Sequence, residues 1–275
     1  MPKAIKLTDV EIAKARTLIW EYYGAHGRAF SWRQTSDPYH IFVSEVMLQQ
    51  TQTATVEKKY GPFIEKFPSF AALAEAPFAE ILPLWRGLGY NRRALALHKS
   101  AQIVATQYGG LLPDKPELLD KLPGIGPATA ASICAFAFNK PTVFIETNIR
   151  TVFITLFGGS RTEIADKELM PFIEAALDRE NPRHWYYALM DYGVMLKKEL
   201  PNPSRRSKHY TRQSQFEGSE RQIRGMILKA ATIKGTFSFE DLCSCIDREP
   251  ERIRRNLEEL CSEGFLRRIN DQFSL

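Results

Sequence analysis

Apolar residues return at helical spacing from Leu7 to Leu177, and glycine or proline interrupts them at short intervals. That rhythm admits short helices joined by tight turns. It leaves no room for an extended sheet, because no alternating pattern of strand period competes with it. Residues 7–24 read as an amphipathic helix capped by Thr8, with Ile12, Ala15, Leu18, Ile19 and Tyr22 as its stripe. After a loop over 28–39, helical patterns resume at 40–48, 51–66, 69–74, 78–84, 92–108, 116–121, 128–138, 147–157 and 167–177. This part of the chain is expected to be all-α.

Composition narrows the class further. The 275 residues are 44% hydrophobic and 25% charged, proportions of a globular protein long enough for one large domain or two smaller ones. No run approaches the ~20 apolar residues of a membrane span, and the first ten residues carry no apolar leader core. Four cysteines are too few for a disulfide framework and fit the reducing cytoplasm, and a monomer is expected. A net charge of +5 permits a polyanionic partner without requiring one.

The pattern changes after Met195. Between 197 and 212 six residues are basic (Lys197, Lys198, Arg205, Arg206, Lys208 and Arg212) and only Glu199 is acidic, while Pro201 and Pro203 forbid a continuous helix. Residues 197–217 therefore read as a basic linker, either a solvated connector or a phosphate-gripping segment. Beyond it, 218–275 reads as a small unit of three helices and a hairpin turned at Asn270-Asp271. That order resembles a winged helix, a fold that serves DNA and protein contacts alike. Arg252, Arg254 and Arg255 on its third helix would suit the former.

Leu122-Pro123-Gly124-Ile125-Gly126 lies between two helical patterns, with Pro127 placed as the first residue of the second. Gly124 and Gly126 allow a tight turn with backbone amides open to a phosphate. Many Gly-x-Gly turns are only turns. Flanked by helices on both sides, this one matches a helix-hairpin-helix, which contacts phosphates without reading sequence.

Residues 122–129, followed by Val143-Phe144-Ile145-Glu146-Thr147-Asn148-Ile149-Arg150, resemble the signature of the helix-hairpin-helix (HhH-GPD) DNA glycosylase superfamily. Ser44-Glu45-Val46-Met47-Leu48-Gln49-Gln50-Thr51-Gln52 and Trp85-Arg86-Gly87-Leu88-Gly89-Tyr90 resemble the MutY-type adenine DNA glycosylases in order and spacing. The resemblance covers about residues 8–196. It implies a two-lobed all-helical glycosylase domain over 1–196, in which double-stranded DNA crosses a cleft and one mispaired or damaged base is flipped into it. The implied reaction is hydrolysis of the N-glycosidic bond of a mispaired purine, adenine opposite guanine or 8-oxoguanine first. Hypoxanthine or another base, or a non-catalytic DNA-binding role, is the alternative.

By the same resemblance Glu45 is the acid that protonates the leaving base, and Glu146 is the carboxylate that stabilises the sugar cation. Glu146 stands where the family has aspartate, one methylene shorter. Asn148 matches the amide that orients carboxylate and water, or else serves as a helix-start cap. Trp32, Arg33 and Leu48 match residues around the extruded base, whereas Thr53 and Tyr187 depart from the usual pattern there. Gln50 and Tyr90 match positions that fill the vacated stack, although Tyr90 also reads as core. Gly124, Gly126, Arg205, Arg206 and Lys208 are the phosphate-contact candidates, and His98 reads as structural. Ala128 replaces the lysine of lyase-competent relatives, so no Schiff base and no AP-lyase activity are expected.

Two family parts are missing from the sequence. Lys197 stands where the first cysteine of a four-cysteine iron–sulfur cluster should fall, and no cysteine occurs between Cys134 and Cys243. No cluster and no other metal are expected, apart from a monovalent cation for which the hairpin carbonyls leave room. The tail is also too short, and of the wrong pattern, for the Nudix-like domain that ends typical family members.

Overall fold

The computed structural model describes residues 8–212 and 215–275. Residues 1–7, read above for a leader, and residues 213 and 214 of the linker lie outside the described residues. Fourteen α-helices and three short strands are present among the described residues, and they form two packing units.

The first unit comprises residues 1–45, 112–121 and 125–212. It opens on α1 (Asp9–His26), where Thr8 and Glu11 form a reciprocal capping box. A 3-10 turn at Ser31–Arg33 leads to α2 (Pro38–Leu48), whose last three residues belong to the second unit. After α7 (Pro116–Leu119) comes α8 (Pro127–Phe138), with Pro127 at its first position. Residues Ala130 to Ala137 of α8 are all buried. A helix that is apolar all round must be central, and its four buried alanines let neighbours approach closely. Helices α7 and α11 (Pro182–Glu199) pack on it, and α9 (Thr147–Phe157) packs in turn on α11 and on α10 (Asp166–Ala176).

Structure and sequence part company at the linker. Helix α11 runs on through Lys197 and Lys198 to Glu199, so the basic segment begins inside a helix. Proline does end the helix as expected, but a 3-10 turn at Pro203–Arg206 then docks on α9, with Ser204 Oγ 2.6 Å from Thr151 Oγ1. Ile164 and Ser207 form a short parallel bridge. The segment's residues up to 212 are part of the first unit, and the backbone of Arg206 and Lys208 pairs with Ile164 there.

The second unit comprises residues 46–111, 122–124 and 213–275. It holds α3 (Thr53–Lys66), α4 (Phe70–Glu75), α5 (Phe78–Trp85), α6 (Arg92–Gln107), and the tail helices α12 (Glu220–Lys234), α13 (Phe239–Cys245) and α14 (Pro250–Ser262). The tail hairpin is larger than expected. β2 (Arg267–Ile269) and β3 (Gln272–Ser274) are joined by β1 (Thr236–Phe237), in the antiparallel order β1-β3-β2. A two-residue strand has no alternation to detect. Nor does the tail's core stop at residue 218, since Ile223, Ile227, Phe237, Leu257 and Leu260 share one cluster with Leu82 of α5 and Leu95 of α6. Each such side chain contributes ~1.5–3 kcal/mol by leaving water.

Arg93 binds the two motifs of this unit together. Its guanidinium donates to the carbonyls of Val46 and Met47 (2.9 Å each), to Thr51 Oγ1 (2.8 Å), and to the carbonyls of Leu88 (2.9 Å) and Gly89 (3.1 Å). Burial pulls its pKa down to about 10, which still leaves the cation charged at neutral pH. Arg93→Met keeps the bulk but orphans these buried acceptors, each a loss of ~1–3 kcal/mol. We expect a drop in unfolding free energy of at least ~2 kcal/mol, read by denaturant titration of the full chain; an unchanged midpoint contradicts the assignment.

Candidate active site

Glu45 lies on α2, flanked by the buried residues Phe42, Val43, Ser44, Val46 and Met47. Its carboxyl is desolvated, which raises its pKa to about 7 against the lowering pull of a hydrogen bond from Ser132. Ser132 Oγ donates to Glu45 Oε2 at 2.5 Å and is also 3.0 Å from the carbonyl of Thr129. The negative charge of Glu146 pushes the same way as burial, and Arg33 opposes both. Two carboxyls that feel each other across the first unit are what a paired acid-and-carboxylate site requires.

Glu146 has a different surrounding. It is the N-cap of α9, and its Oε1 accepts from the backbone amides of Asn148 (2.8 Å) and Ile149 (2.9 Å). Oε2 accepts from the Asn148 side chain at 3.2 Å. The extra methylene is absorbed by folding the carboxylate back onto its own helix start, where the amides and the positive end of the helix dipole hold a negative group. The cap is thus Glu146 rather than Asn148. Asn148 is engaged on its other side by Lys197, whose Nζ donates to Oδ1 at 2.8 Å.

The base-pocket candidates fall into two groups. Trp32, Arg33 and Tyr187 lie in the first unit with the two glutamates. Trp32 is buried and stacks on Phe30, with ring centroids 4.8 Å apart. Tyr187 stacks on Phe136 at 4.7 Å and carries the Arg33 guanidinium 4.5 Å from its own ring centre. Arg33 is anchored by Asp191, which is 2% exposed and accepts from Arg33 Nη1 and Nη2 (2.9 Å each) and from Arg28 N and Nε (2.8 Å each). Leu48, the last residue of α2, and Thr53, the first of α3, are partly buried in the second unit.

In the second unit Gln50 and Tyr90 share an unusual backbone. Their φ angles are 55° and 47°, a left-handed conformation that costs ~1–3 kcal/mol in a non-glycine residue and is retained mostly where a site needs it. Both line a cavity of about 830 Å³ with Phe216, Arg221, Arg224 and Gly225. Arg221 Nη1 donates to the Tyr90 hydroxyl at 3.1 Å, and its guanidinium lies 5.6 Å from the ring centre. The Arg93 guanidinium lies 5.7 Å from the same ring centre.

The hairpin glycines differ in their reasons. Gly124 has φ 75°, and a Cβ there would stand 2.7 Å from the Ala96 Cβ. Its carbonyl accepts from Gln49 Nε2 at 3.1 Å, and the Pro123 carbonyl accepts from Ser100 at 3.0 Å. Gly126 is the N-cap of α8 with extended backbone, and a Cβ on it would meet nothing, so packing does not demand glycine there.

The basic candidates split as well. Arg205 and Lys208 are exposed. Arg206 is spent on structure, donating to the carbonyls of Arg161 (2.9 Å) and Gly159 (2.6 Å). In the tail, Arg252 and Arg255 converge on Glu220 at 2.8 Å each, and Arg254 covers the Phe239 ring. The iron–sulfur cluster of the resembled family does not fit. Lys197 bonds Asn148 at the place of the first ligand, and Cys134 sits buried in α8 while Cys243, Cys245 and Cys261 belong to the other unit.

Ser132, Asp191 and Lys197 touch candidate site residues through contacts that motif reading did not anticipate. Ser132 had a faint signal, the one hydroxyl in the apolar run from Ala130 to Ala137. Asp191 and Lys197 had none beyond their helix, because their partners are 158 and 49 residues away.

Residues 43–175 match the HhH-GPD superfamily of base excision DNA repair proteins. An adenine DNA glycosylase of Buchnera aphidicola subsp. Baizongia pistaciae is 34% identical over 182 residues, which is 66% of this chain. The chain spans about half, 52%, of that relative's length. A thymine/uracil-DNA glycosylase of Methanothermobacter thermautotrophicus is 30% identical over 181 residues, 65% of this chain and 82% of that protein. Among solved structures, a thermostable thymine-DNA glycosylase superposes with a TM-score of 0.61 at 26% identity, covering 69% of this chain and 89% of that one.

The Asp191 network yields a stability test. Burial acts to raise the Asp191 pKa, but the hydrogen bonds and charge of Arg33 and the hydrogen bonds of Arg28 outweigh it and leave the pKa lowered. A depressed folded pKa stabilises above the unfolded value, ~4, and that stability is lost as pH falls through the folded one. Asp191→Ala leaves two arginines facing an empty site and is expected to cost ~3–5 kcal/mol near pH 7. The gap to wild type should close as the pH drops below ~4. A gap independent of pH contradicts the ion-pair account.

Proposed function

The chain belongs to the HhH-GPD superfamily of base excision DNA repair proteins, and on that footing we propose that it is a monofunctional DNA glycosylase. Its substrate is a mispaired purine in double-stranded DNA, adenine foremost. The observation that carries this reading is the contrast between two carboxyls in one unit: Glu45, desolvated to a pKa of about 7, and Glu146, held by amide donors at a helix start.

Breaking the C1′–N9 bond leaves positive charge on the sugar and negative charge on the base, and each needs a partner in the transition state. Protonated Glu45 delivers its proton to the base, so the base departs neutral. Glu146 stays ionised and stabilises the sugar cation. The deprotonated Glu45 then takes a proton from the attacking water, closing the cycle. Ser132 tunes the acid. When Glu45 is protonated, its own O–H has the Ser132 oxygen as acceptor, and the serine proton can turn to the Thr129 carbonyl 3.0 Å away.

We assign DNA contacts to Gln50 and Tyr90, on their strained backbones, and to Gly126, Arg205 and Lys208, which packing leaves available. Gly124 serves the turn itself. Residues 218–275, with three helices and a three-stranded sheet, suit a winged-helix-like element; Arg221 links it to Tyr90 within the second unit. A change of target base with unchanged chemistry is the second reading. It is favoured by Tyr187, whose ring is committed to Phe136 and Arg33.

The deciding experiment is single-turnover excision by the full chain on duplexes carrying A:G, A:8-oxoguanine, A:C and hypoxanthine pairs. We expect excision of adenine, with strand breaks only after alkali or heat, and a loss of ~10²–10⁴-fold in Glu45→Gln with DNA binding retained. No excision on any pair overturns the proposal.

The pH profile gives a second test. The acid must be protonated, so the rate should fall as pH rises through about 7. The Ser132 hydrogen bond lowers the Glu45 pKa. Ser132→Ala should therefore move that falling limb to higher pH. A limb that stays fixed, or moves to lower pH, contradicts the role of Ser132.

A further inference from the structure

Asn148 is gripped from both ends, and the two grips differ in kind. On one side its Nδ2 donates to Glu146 Oε2 at 3.2 Å; on the other its Oδ1 accepts from Lys197 Nζ at 2.8 Å. An amide can be turned end for end with little change of shape, but an ammonium group only donates. With Lys197 in place, the oxygen must face the lysine and the NH2 must face Glu146. Turned the other way, Oδ1 would confront a carboxylate and the NH2 would confront an ammonium.

The rest of α11 is built to hold this arrangement. Gly193 lies one helical turn before Lys197, and a Cβ there would stand 2.5 Å from the Asn148 carbonyl oxygen and 2.8 Å from its Cβ. Only glycine lets α11 press so closely on the first turn of α9. Burial lowers the Lys197 pKa, and the negative charge of Glu146 opposes that shift. Ordering a lysine chain costs rotamer entropy. Spending that on one amide oxygen makes sense where the amide's orientation matters.

We propose that Lys197 is a positioning residue for glycosidic bond cleavage, fixing the Asn148 amide so that it holds the Glu146 carboxylate in place. The inference rests on the glycosylase reading above. It also gives a physical sense to the lysine at a position where a cluster cysteine was expected. Glutamate reaches one methylene further than aspartate and has one more torsion to fix; the Lys197–Asn148 chain supplies the added restraint.

The test uses full-length Lys197→Met, Lys197→Arg, Asn148→Ala and the Lys197→Met/Asn148→Ala double variant. Single-turnover rates on an A:G duplex are read beside equilibrium affinity for the same duplex carrying an uncleavable adenosine analogue. Loss of one positioned hydrogen bond predicts a rate about tenfold lower for Lys197→Met, with affinity within about threefold of wild type. Arginine, also a pure donor, should recover most of the rate. The double variant should be no slower than Asn148→Ala alone, since the lysine acts through the amide. A wild-type rate in Lys197→Met, a loss confined to affinity, or losses that multiply in the double variant would each overturn the proposal.

Crystal structures of wild type and Lys197→Met read the inference without activity, so it stands or falls even if no pair is excised and the glycosylase reading fails. An Asn148 amide displaced from Glu146 Oε2 is the expected result. An amide unmoved against Glu146 overturns it.

Discussion

A carboxyl group withdrawn from water holds its proton longer, and the proposed chemistry hangs on that fact at Glu45. Burial is the largest influence on its pKa, ahead of the Ser132 hydrogen bond, the Glu146 charge and the Arg33 charge. Much of the first unit can be understood as what maintains that environment. Helix α8, buried along most of its length, brings Ser132 to the carboxyl, and Asp191 holds Arg33 against the Tyr187 ring. The arginine is close enough to oppose the shift but is largely neutralised by its own aspartate. Were Arg33 unpaired, its attraction for a Glu45 carboxylate would lower the pKa.

Glu146 solves the opposite problem. A carboxylate that must remain ionised near a second acidic group needs donors, and the start of α9 supplies two backbone amides and one side-chain amide. In the proposed chemistry the same residue type serves two roles, separated only by surroundings. The substitution of glutamate for the family's aspartate keeps the charge. Its longer arm folds back as a helix cap, with α11 reaching in through Lys197 to hold the arrangement.

How far the sequence spoke for the structure depended on the range of the interactions. The helices were legible because their signals are local: Thr8 and Glu11 cap α1, Pro127 opens α8, and the pattern at 147–157 coincides with α9. The two glutamates were legible through the motifs around them. Arg93 was not, because a charged residue on a helix reads as exposed until the carbonyls of Val46, Met47, Leu88 and Gly89 are seen converging on it. Asp191 was not legible as the anchor of Arg33, 158 residues away. Within the basic run from Lys197 to Arg212, Lys197 and Arg206 turn inward to partners supplied by distant parts of the chain, which their spacing does not announce. Composition reports charge, and only tertiary structure reports whether the charge is spent.

The most direct measurement is a titration of Glu45 in the intact chain, by NMR of glutamate labelled at the side-chain carboxyl and assigned with Glu45→Gln. The account predicts an inflection near 7, some two and a half units above an ordinary glutamate at 4.5. An inflection at the ordinary value would mean that Glu45 is already ionised at neutral pH, and a general acid could not reside there.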